Sequence, residues 1–134
     1  MNPAVEIEER VRYSETDQMG VAHNKSYFEW FEIGRTEFCR RRGIPYKEIE
    51  ARGHYLVVVE AFCRYRKPLR YDEEFIVRVT LRETTRKKVA FEYEILSKAD
   101  RKLIASGHTV HIATNAAGEV SPLPQSMLDK LIRE

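Results

Sequence analysis

The sequence predicts an α+β domain in which an antiparallel sheet curls around one hydrophobic helix. Three observations lead to this prediction. A single long segment has apolar residues at helical spacing between clear start and stop signals. One strand pattern precedes that segment and four follow it. The linkers between the later strand patterns, RETTRKK and SKADRK, are short and polar, as in antiparallel hairpins.

The first predicted strand comes from alternation close to the amino terminus. Val5, Ile7, Val11 and Tyr13 fall on one side of a period of two. The other side is charged and consists of Glu6, Glu8, Arg10 and Arg12. This alternation is typical of a half-buried strand. Tyr13 is therefore expected to end a strand.

The long helix is predicted to begin at a capping box formed by Ser26 and Glu29. It ends in the run RRRG at residues 40–43, where basic side chains lie near the negative end of the helix dipole and glycine stops the helix. Its apolar stripe is broad, so the sheet is expected to wrap around it. The stripe consists of Tyr27, Trp30, Phe31, Gly34 and Phe38, widened by Phe28 and Ile33.

The remaining elements follow from shorter patterns. A short helix is predicted over residues 45–52, with proline in its first turn and Gly53 after its last. Strands are predicted over residues 55–65, 75–81, 89–95 and 103–113. In the first of these, one face is expected to carry Tyr55, Val57, Val59, Ala61, Cys63 and Tyr65. A closing helix over residues 124–133 has Met127, Leu128, Leu131 and Ile132 at helical spacing.

Length and composition limit the class of protein. The 134 residues, 43% of them hydrophobic, fit a single domain over residues 1–134. A domain this small gains from burying more surface against another copy, which makes a homo-oligomer plausible. The net charge of +2 is nearly balanced, and basic residues alternate with acidic ones, so nucleic-acid binding is not expected.

The compartment is predicted from the cysteines and the apolar runs. Cys39 and Cys63 lie in apolar segments without metal-like spacing, which favours two core thiols in a reducing compartment. The amino terminus lacks the features of a signal peptide, and the longest apolar run is too short to span a bilayer. We therefore expect a soluble, cytoplasmic protein with no membrane insertion.

The segment between the first strand and the long helix carries most of the chemistry. It reads YSETDQMGVAHNKSY over residues 13–27. Together with the helix end RTEF…RRRGIP and the later YRKPLRYDEEFIV, this segment resembles the hotdog-fold acyl-CoA thioesterases. Within these, it is similar to the 4-hydroxybenzoyl-CoA thioesterase group and to the bacterial relatives that accompany the Tol-Pal cell-envelope proteins. The similarity covers about residues 5–115.

This resemblance implies a fold and an active site. It implies a hotdog fold, with an antiparallel sheet of about six strands around the central helix, and dimers or tetramers with active sites at the dimer interface. It implies that Asp17 is the catalytic carboxylate and that the backbone N–H of Asn24 polarises the thioester carbonyl. The chain departs from the pattern at one place, because many relatives have histidine at the position of Asn24 and this chain has His23 one residue earlier.

The residues themselves are compatible with this chemistry. Thioester hydrolysis needs a nucleophile or a base for water, and hydrogen-bond donors for the oxyanion. Asp17 can act as the nucleophile or the base, and the start of the helix can supply the hydrogen-bond donors. Asp17 also fits a simpler role, in which its carboxylate hydrogen-bonds the backbone two residues on. Whether Asp17 acts as nucleophile or as general base is left open by the sequence.

Further site residues are predicted with alternatives. Tyr13 is either a core ring or a hydroxyl that faces the substrate. His23 orients the substrate, shares protons with Asp17 or only satisfies local backbone groups. Glu15 is expected to be exposed on the turn. The residues predicted to bind substrate are Gly20, Val21, Tyr27, Arg64 and Lys67. The two basic ones either meet coenzyme A phosphates or are solvated charges on a strand face.

No metal or other cofactor is expected. His108 and His111 are three residues apart on a predicted strand, so they point to opposite faces and do not form a metal pair. The leading hypothesis is an acyl-CoA or acyl carrier protein thioesterase. The alternative is a non-catalytic module that binds acyl thioesters or proteins in the same pocket. The acyl group itself is not predicted.

Overall fold

The computed structural model describes residues 4–133, so the outermost residues of the predicted 1–134 domain lie outside it. The strands are β1 (Val5–Arg10), β2 (Tyr55–Tyr65), β3 (Glu74–Leu81), β4 (Lys88–Ser97) and β5 (Leu103–Thr114). The helices are α1 (Asn24–Arg41), α2 (Tyr46–Ala51) and α3 (Gln125–Ile132). The described helices include none that is long and apolar enough to cross a membrane.

The five described strands form one antiparallel sheet in the order β1-β3-β4-β5-β2. The two predicted hairpins, β3–β4 and β4–β5, are confirmed. The sheet has five strands where the resemblance implied about six. Strand β2 pairs with β5 and not with its chain neighbour β3, which leaves β1 and β2 at the two edges.

Helix α1 packs against the sheet through the predicted stripe. Tyr27, Trp30, Phe31, Gly34 and Phe38 are all buried, and Ile33 is exposed. The Phe31 ring stacks on Tyr93 of β4 with centroids 4.2 Å apart. Glycine at position 34 lets α1 lie close to β3, because a Cβ there would lie 2.7 Å from the Cγ2 of Val79. The prediction of a hydrophobic helix against the sheet is confirmed.

Strand β2 differs from its predicted alternation. The register with β5 shifts between Val58 and Glu60, which marks a β-bulge at Val59. The extra residue reverses which face of the sheet the following side chains of β2 occupy. Val57 pairs with Ile112 on one face of the sheet, and Cys63 pairs with Gly107 on the opposite face. The prediction that residues 55–65 keep a single apolar face is therefore wrong.

Three smaller predictions are corrected. Strand β1 stops at Arg10, and a short 3₁₀ turn at Tyr13–Glu15 follows, so Tyr13 does not end the strand. Cys39 is buried as expected, but Cys63 is only half-buried. In α3, Met127, Leu128 and Leu131 are buried as the spacing predicted, whereas Ile132 is exposed.

The two histidines of β5 point to opposite faces, as predicted. His108 lies 2.7 Å from the Glu60 carboxylate on the outer face. His111 is fully buried on the helix side, with Nε2 2.9 Å from the Thr109 hydroxyl. Burial, followed by the nearby charge of Arg35, lowers the pKa of His111 from 6.5 to about 4.

This buried histidine predicts a loss of stability in acid. Below pH 6.5 the unfolded chain binds a proton at His111 that the folded chain does not take up until about pH 4. The free energy of unfolding should therefore fall between these two values, by about 3 kcal/mol from this residue. Urea unfolding at several pH values measures it. His111→Gln should flatten this part of the profile, and His108→Gln on the outer face should not.

Candidate active site

A cavity of about 460 Å³ lies at the start of α1, beside the segment that follows β2. Five of the predicted site residues line it: Asp17, His23, Asn24, Tyr27 and Lys67. Four others complete its wall: Ala22, Tyr65, Arg66 and Pro68. The cavity thus combines a carboxylate, a helix start, two phenols and two basic side chains.

Asp17 sits in a closed loop. Thr16 and Ala22 form a backbone bridge, and inside it the Asp17 N–H donates to the Val21 carbonyl at 2.9 Å. Gly20 takes a positive φ of 76°, a backbone angle that favours glycine. The Asp17 Oδ1 accepts from the Met19 N–H at 2.8 Å, which is the turn bond that the sequence allowed as an alternative. Because Asp17 also lines the cavity, the turn role and a chemical role are compatible.

Helix α1 starts earlier than the capping box predicted. His23 is the N-cap residue, and its Nδ1 accepts from the Lys25 N–H at 3.1 Å. Ser26 lies in the first turn, where its buried hydroxyl donates to the Glu15 carbonyl at 3.1 Å. The Ser26–Glu29 prediction is therefore wrong, because the His23 ring already supplies the cap. A neutral His23 that accepts at Nδ1 carries its proton on Nε2 and is a donor there.

The start of α1 offers a free donor. Among residues 4–133, none accepts a hydrogen bond from the Asn24 N–H, and Asn24 lines the cavity. The first N–H groups of a helix have no partner within the helix, and they lie at the positive end of its dipole. Negative charge on a bound carbonyl oxygen would be stabilised at this position.

Glu15 is buried, although the sequence predicted it to be exposed. Its carboxylate accepts from the Arg12 N–H at 2.7 Å, from the Arg12 guanidinium at 3.1 Å and from the Trp30 indole at 2.8 Å. Burial acts to raise the pKa of Glu15, but these hydrogen bonds outweigh it and the pKa is lowered. The prediction failed because the indole donor comes from the helix, fifteen residues further along the chain.

Tyr65 is a cavity residue that the sequence analysis did not identify. Its hydroxyl donates to the Asn24 carbonyl at 3.3 Å, and its ring meets Tyr27 edge-on with centroids 4.9 Å apart. Burial of Tyr27, and the partial desolvation of Tyr65 although that residue is 45% exposed, raise the pKa of both phenols to about 12, so both are protonated at neutral pH. The sequence feature that could have identified Tyr65 is its position next to Arg66, Lys67 and Pro68 at the end of a predicted strand.

The other predicted residues lie elsewhere. Tyr13 is 79% exposed, which excludes the core alternative, and its ring contacts Tyr71. Gly20 and Val21 belong to the Asp17 loop but do not line the cavity. The Arg64 guanidinium lies 5.9 Å from the centre of the Phe62 ring, away from the cavity.

A second cavity of about 500 Å³ lies on the outer face of the sheet. Its charged side chains largely neutralise one another through the pairs Arg78–Glu94 and Arg82–Glu92. None of its described lining residues belongs to a helix. Within the described residues, no cluster of three or more potential metal ligands is present. The Asp17 cavity is therefore the stronger candidate for chemistry.

A protein-family comparison agrees with this geometry. The model of a family described as the thioesterase-like superfamily matches residues 11–131. The chain belongs to this superfamily. Membership confirms the predicted hotdog fold and the predicted enzyme class, a thioester hydrolase.

Individual members of the thioesterase-like superfamily are also similar to this chain. A protein of Aquifex aeolicus with a provisional esterase name is 37% identical over 122 residues, which are 91% of this chain and 93% of that protein. A provisionally named acyl-CoA thioesterase of Bacillus subtilis is 36% identical over 89 residues, 66% of this chain and 64% of that protein. The crystal structure of the DHNA-CoA thioesterase from Staphylococcus aureus has a TM-score of 0.88 at 27% identity, covering 94% of this chain and 85% of that chain.

Proposed function

We propose that this thioester hydrolase cleaves acyl-CoA or acyl carrier protein thioesters to a free acid and a thiol, using Asp17 and the Asn24 N–H. One observation carries the proposal: Asp17 lines the same cavity as Asn24, the first residue of α1, whose N–H has no acceptor among residues 4–133. Superfamily members named for CoA thioesters support the substrate class.

In the proposed reaction, the thioester carbonyl oxygen accepts a hydrogen bond from the Asn24 N–H. Asp17 either removes a proton from an attacking water or attacks the carbonyl itself. The tetrahedral intermediate collapses by breaking the C–S bond, and the thiolate leaves and takes up a proton. Attack by water gives the free acid directly. Attack by Asp17 gives an anhydride between the enzyme and the acyl group, which water then hydrolyses to the free acid and the Asp17 carboxylate. The helix dipole stabilises the oxyanion in both routes.

The basic residues of the cavity favour a thiol that carries phosphate groups, as coenzyme A does. Arg66 and Lys67 line its wall, and phosphate groups form strong charge-assisted hydrogen bonds with such side chains. His23 can donate to substrate from Nε2, which is compatible with its cap. The finer placement in the 4-hydroxybenzoyl-CoA group is part of the proposal and rests on the motif over residues 13–27.

A substrate panel tests this function. Purified enzyme is mixed with aliphatic acyl-CoAs, aromatic acyl-CoAs and an acyl carrier protein thioester, and thiol release is followed with a chromogenic thiol reagent. We expect saturable release with at least one acyl-CoA. Saturable binding without release would instead identify a non-catalytic acyl-thioester module, and release from the carrier protein alone would exclude coenzyme A as the thiol.

We also propose a homo-oligomer, a dimer or tetramer, built through β2. Among the described strands, only β5 pairs with β2, so its outer edge is unpaired. Five apolar or aromatic side chains of β2 are exposed: Val57, Val58, Val59, Phe62 and Tyr65. Such an edge tends to pair with another chain. A partner there would also border the cavity, because Tyr65 lines it.

Sedimentation at micromolar concentration should therefore show no dominant monomer. Val59→Lys places a charge on the edge strand and should increase the monomer fraction. Val120→Lys is the matched control, because Val120 is also exposed but lies outside β2. A monomeric protein that still hydrolyses its substrate would contradict a site completed by a partner.

A cytoplasmic location remains part of the proposal. Cys39 and Cys63 are both free, which agrees with a reducing compartment.

A further inference from the structure

Glu15 makes an unusual number of contacts for a residue in a turn. Its side chain is almost completely buried and accepts three hydrogen bonds, two from Arg12 and one from the Trp30 indole. Through Trp30 the carboxylate is joined to the second turn of α1, which is itself fixed in the core by the tilted packing of Trp30 on Phe75.

The main chain of Glu15 is joined to the same helix at its start. The Glu15 carbonyl accepts from the His23 N–H at 2.7 Å and from the Ser26 hydroxyl at 3.1 Å. The next residue, Thr16, forms the bridge with Ala22 that closes the Asp17 loop. Glu15 therefore lies at the base of this loop and holds its outgoing limb against α1.

The returning limb is held by different residues. The Ala22 N–H donates to the Leu69 carbonyl at 2.7 Å, and Val21 forms a backbone bridge with Arg70. The two limbs thus have separate anchors, one on α1 and one on the segment after β2. Weakening the first anchor would let the outgoing limb, which carries Asp17, shift relative to the start of α1.

We propose that Glu15 is a positioning residue for the reaction, whose buried carboxylate sets the placement of Asp17 relative to the Asn24 N–H. This inference rests on the proposed function, because it gives Glu15 a role only through those two groups. Glu15 does not line the cavity and is not itself a catalytic residue.

The charge of Glu15, and not only its shape, matters for this role. A carboxylate has two acceptor oxygens and no donor, which suits three converging donors. Glutamine has the same length but one acceptor oxygen and an NH₂ group that would meet another donor. Glu15→Gln should therefore leave at least one of these donors without a partner, either the part-buried Arg12 N–H or the buried Trp30 indole, and loosen the base of the loop.

The test is the Glu15→Gln enzyme assayed with any thioester that the wild type hydrolyses. A displacement of about 1 Å in a catalytic group can lower the rate about 100-fold, so we expect kcat to fall about 10- to 100-fold with KM little changed. Hydrogen exchange should become faster at the amides of residues 16–23 and stay unchanged in β3 and β4. Glu32→Gln, at an exposed site on the same helix, is the matched control.

Trp30→Phe provides an independent variant, because it keeps a ring but removes the indole donor. It should lower kcat in the same direction, and the double variant should be no slower than Glu15→Gln alone. If Glu15→Gln does not fold, Trp30→Phe decides: a reduced kcat with local faster exchange supports the proposal, and an unchanged kcat overturns it.

A folded Glu15→Gln enzyme with kcat within about twofold of wild type would also overturn the proposal, since the expected loss is larger. Faster exchange spread evenly over the chain would assign Glu15 a purely structural role and overturn it as well. The proposed function has a separate test. Retained activity in Asp17→Asn would remove Asp17 from the chemistry, and it would leave the hydrogen-exchange result for Glu15→Gln unchanged.

Discussion

Asp17→Asn is expected to lower kcat by about 10²–10⁴-fold, the usual contribution of general-base assistance, while KM changes little. The substitution removes the negative charge of Asp17, which lines the cavity together with Asn24. Steady-state kinetics with the best substrate of the panel measure both constants.

The structure makes asparagine a well-matched replacement. The Asp17 Oδ1 accepts from the Met19 N–H, and the Oδ1 of asparagine can accept the same bond. The loop over residues 16–22 should therefore keep its geometry, so the loss reports on chemistry and not on folding. Gln18→Ala, at an exposed loop position, is the control. Near wild-type turnover by folded Asp17→Asn would remove Asp17 from the mechanism.

The two proposed routes differ in where an oxygen atom goes. In a single turnover in heavy-oxygen water, direct attack by Asp17 leaves label in the enzyme carboxylate. Activation of water places the label only in the product acid. We favour the water route, because it requires no anhydride between enzyme and acyl group to be hydrolysed.

Trp30→Ala is expected to lower the free energy of unfolding by about 3–5 kcal/mol, as large aromatic truncations in cores do. Trp30 is 1% exposed, and its ring contacts Phe75 with centroids 4.3 Å apart. The truncation also removes the indole donor from the buried Glu15 carboxylate. Both losses act in the same direction, so the upper part of the range is expected.

Denaturant unfolding at neutral pH measures this loss. Ile33→Ala is the control on the same helix, because Ile33 is 38% exposed and its truncation should cost much less. An unfolding free energy for Trp30→Ala equal to that of the control would contradict the assignment of Trp30 to the core of the sheet and helix.

Long, regular patterns were sufficient to predict the core. Five positions of the α1 stripe were found buried as expected, and β3 and β4 cover the residue ranges that were predicted for them. Each pattern extends over two or more turns or several strand residues, so one exception does not change the prediction. The place of Asp17 beside a helix start was predicted in the same way, from its position between a strand and a helix.

Short local patterns were less successful. The Ser26–Glu29 pair matches a capping box, but His23 caps the helix and Ser26 is turned toward Glu15. In β2 one bulge at Val59 reversed a pattern that appeared continuous in the sequence. At the helix start, His23 accepts the first-turn N–H in place of Ser26, and the sequence does not show which of the two residues caps the helix.

The sequence by itself determined the central helix, the hairpins of β3, β4 and β5, and the turn that carries Asp17, because each depends on residues close together in the chain. Only the tertiary structure decided that Glu15 is buried, that Tyr65 meets Asn24 and that β2 pairs with β5. The physical reason is that a buried carboxylate or an edge strand is stable only with partners from distant segments. Trp30 supplies that partner for Glu15, and β5 supplies it for β2.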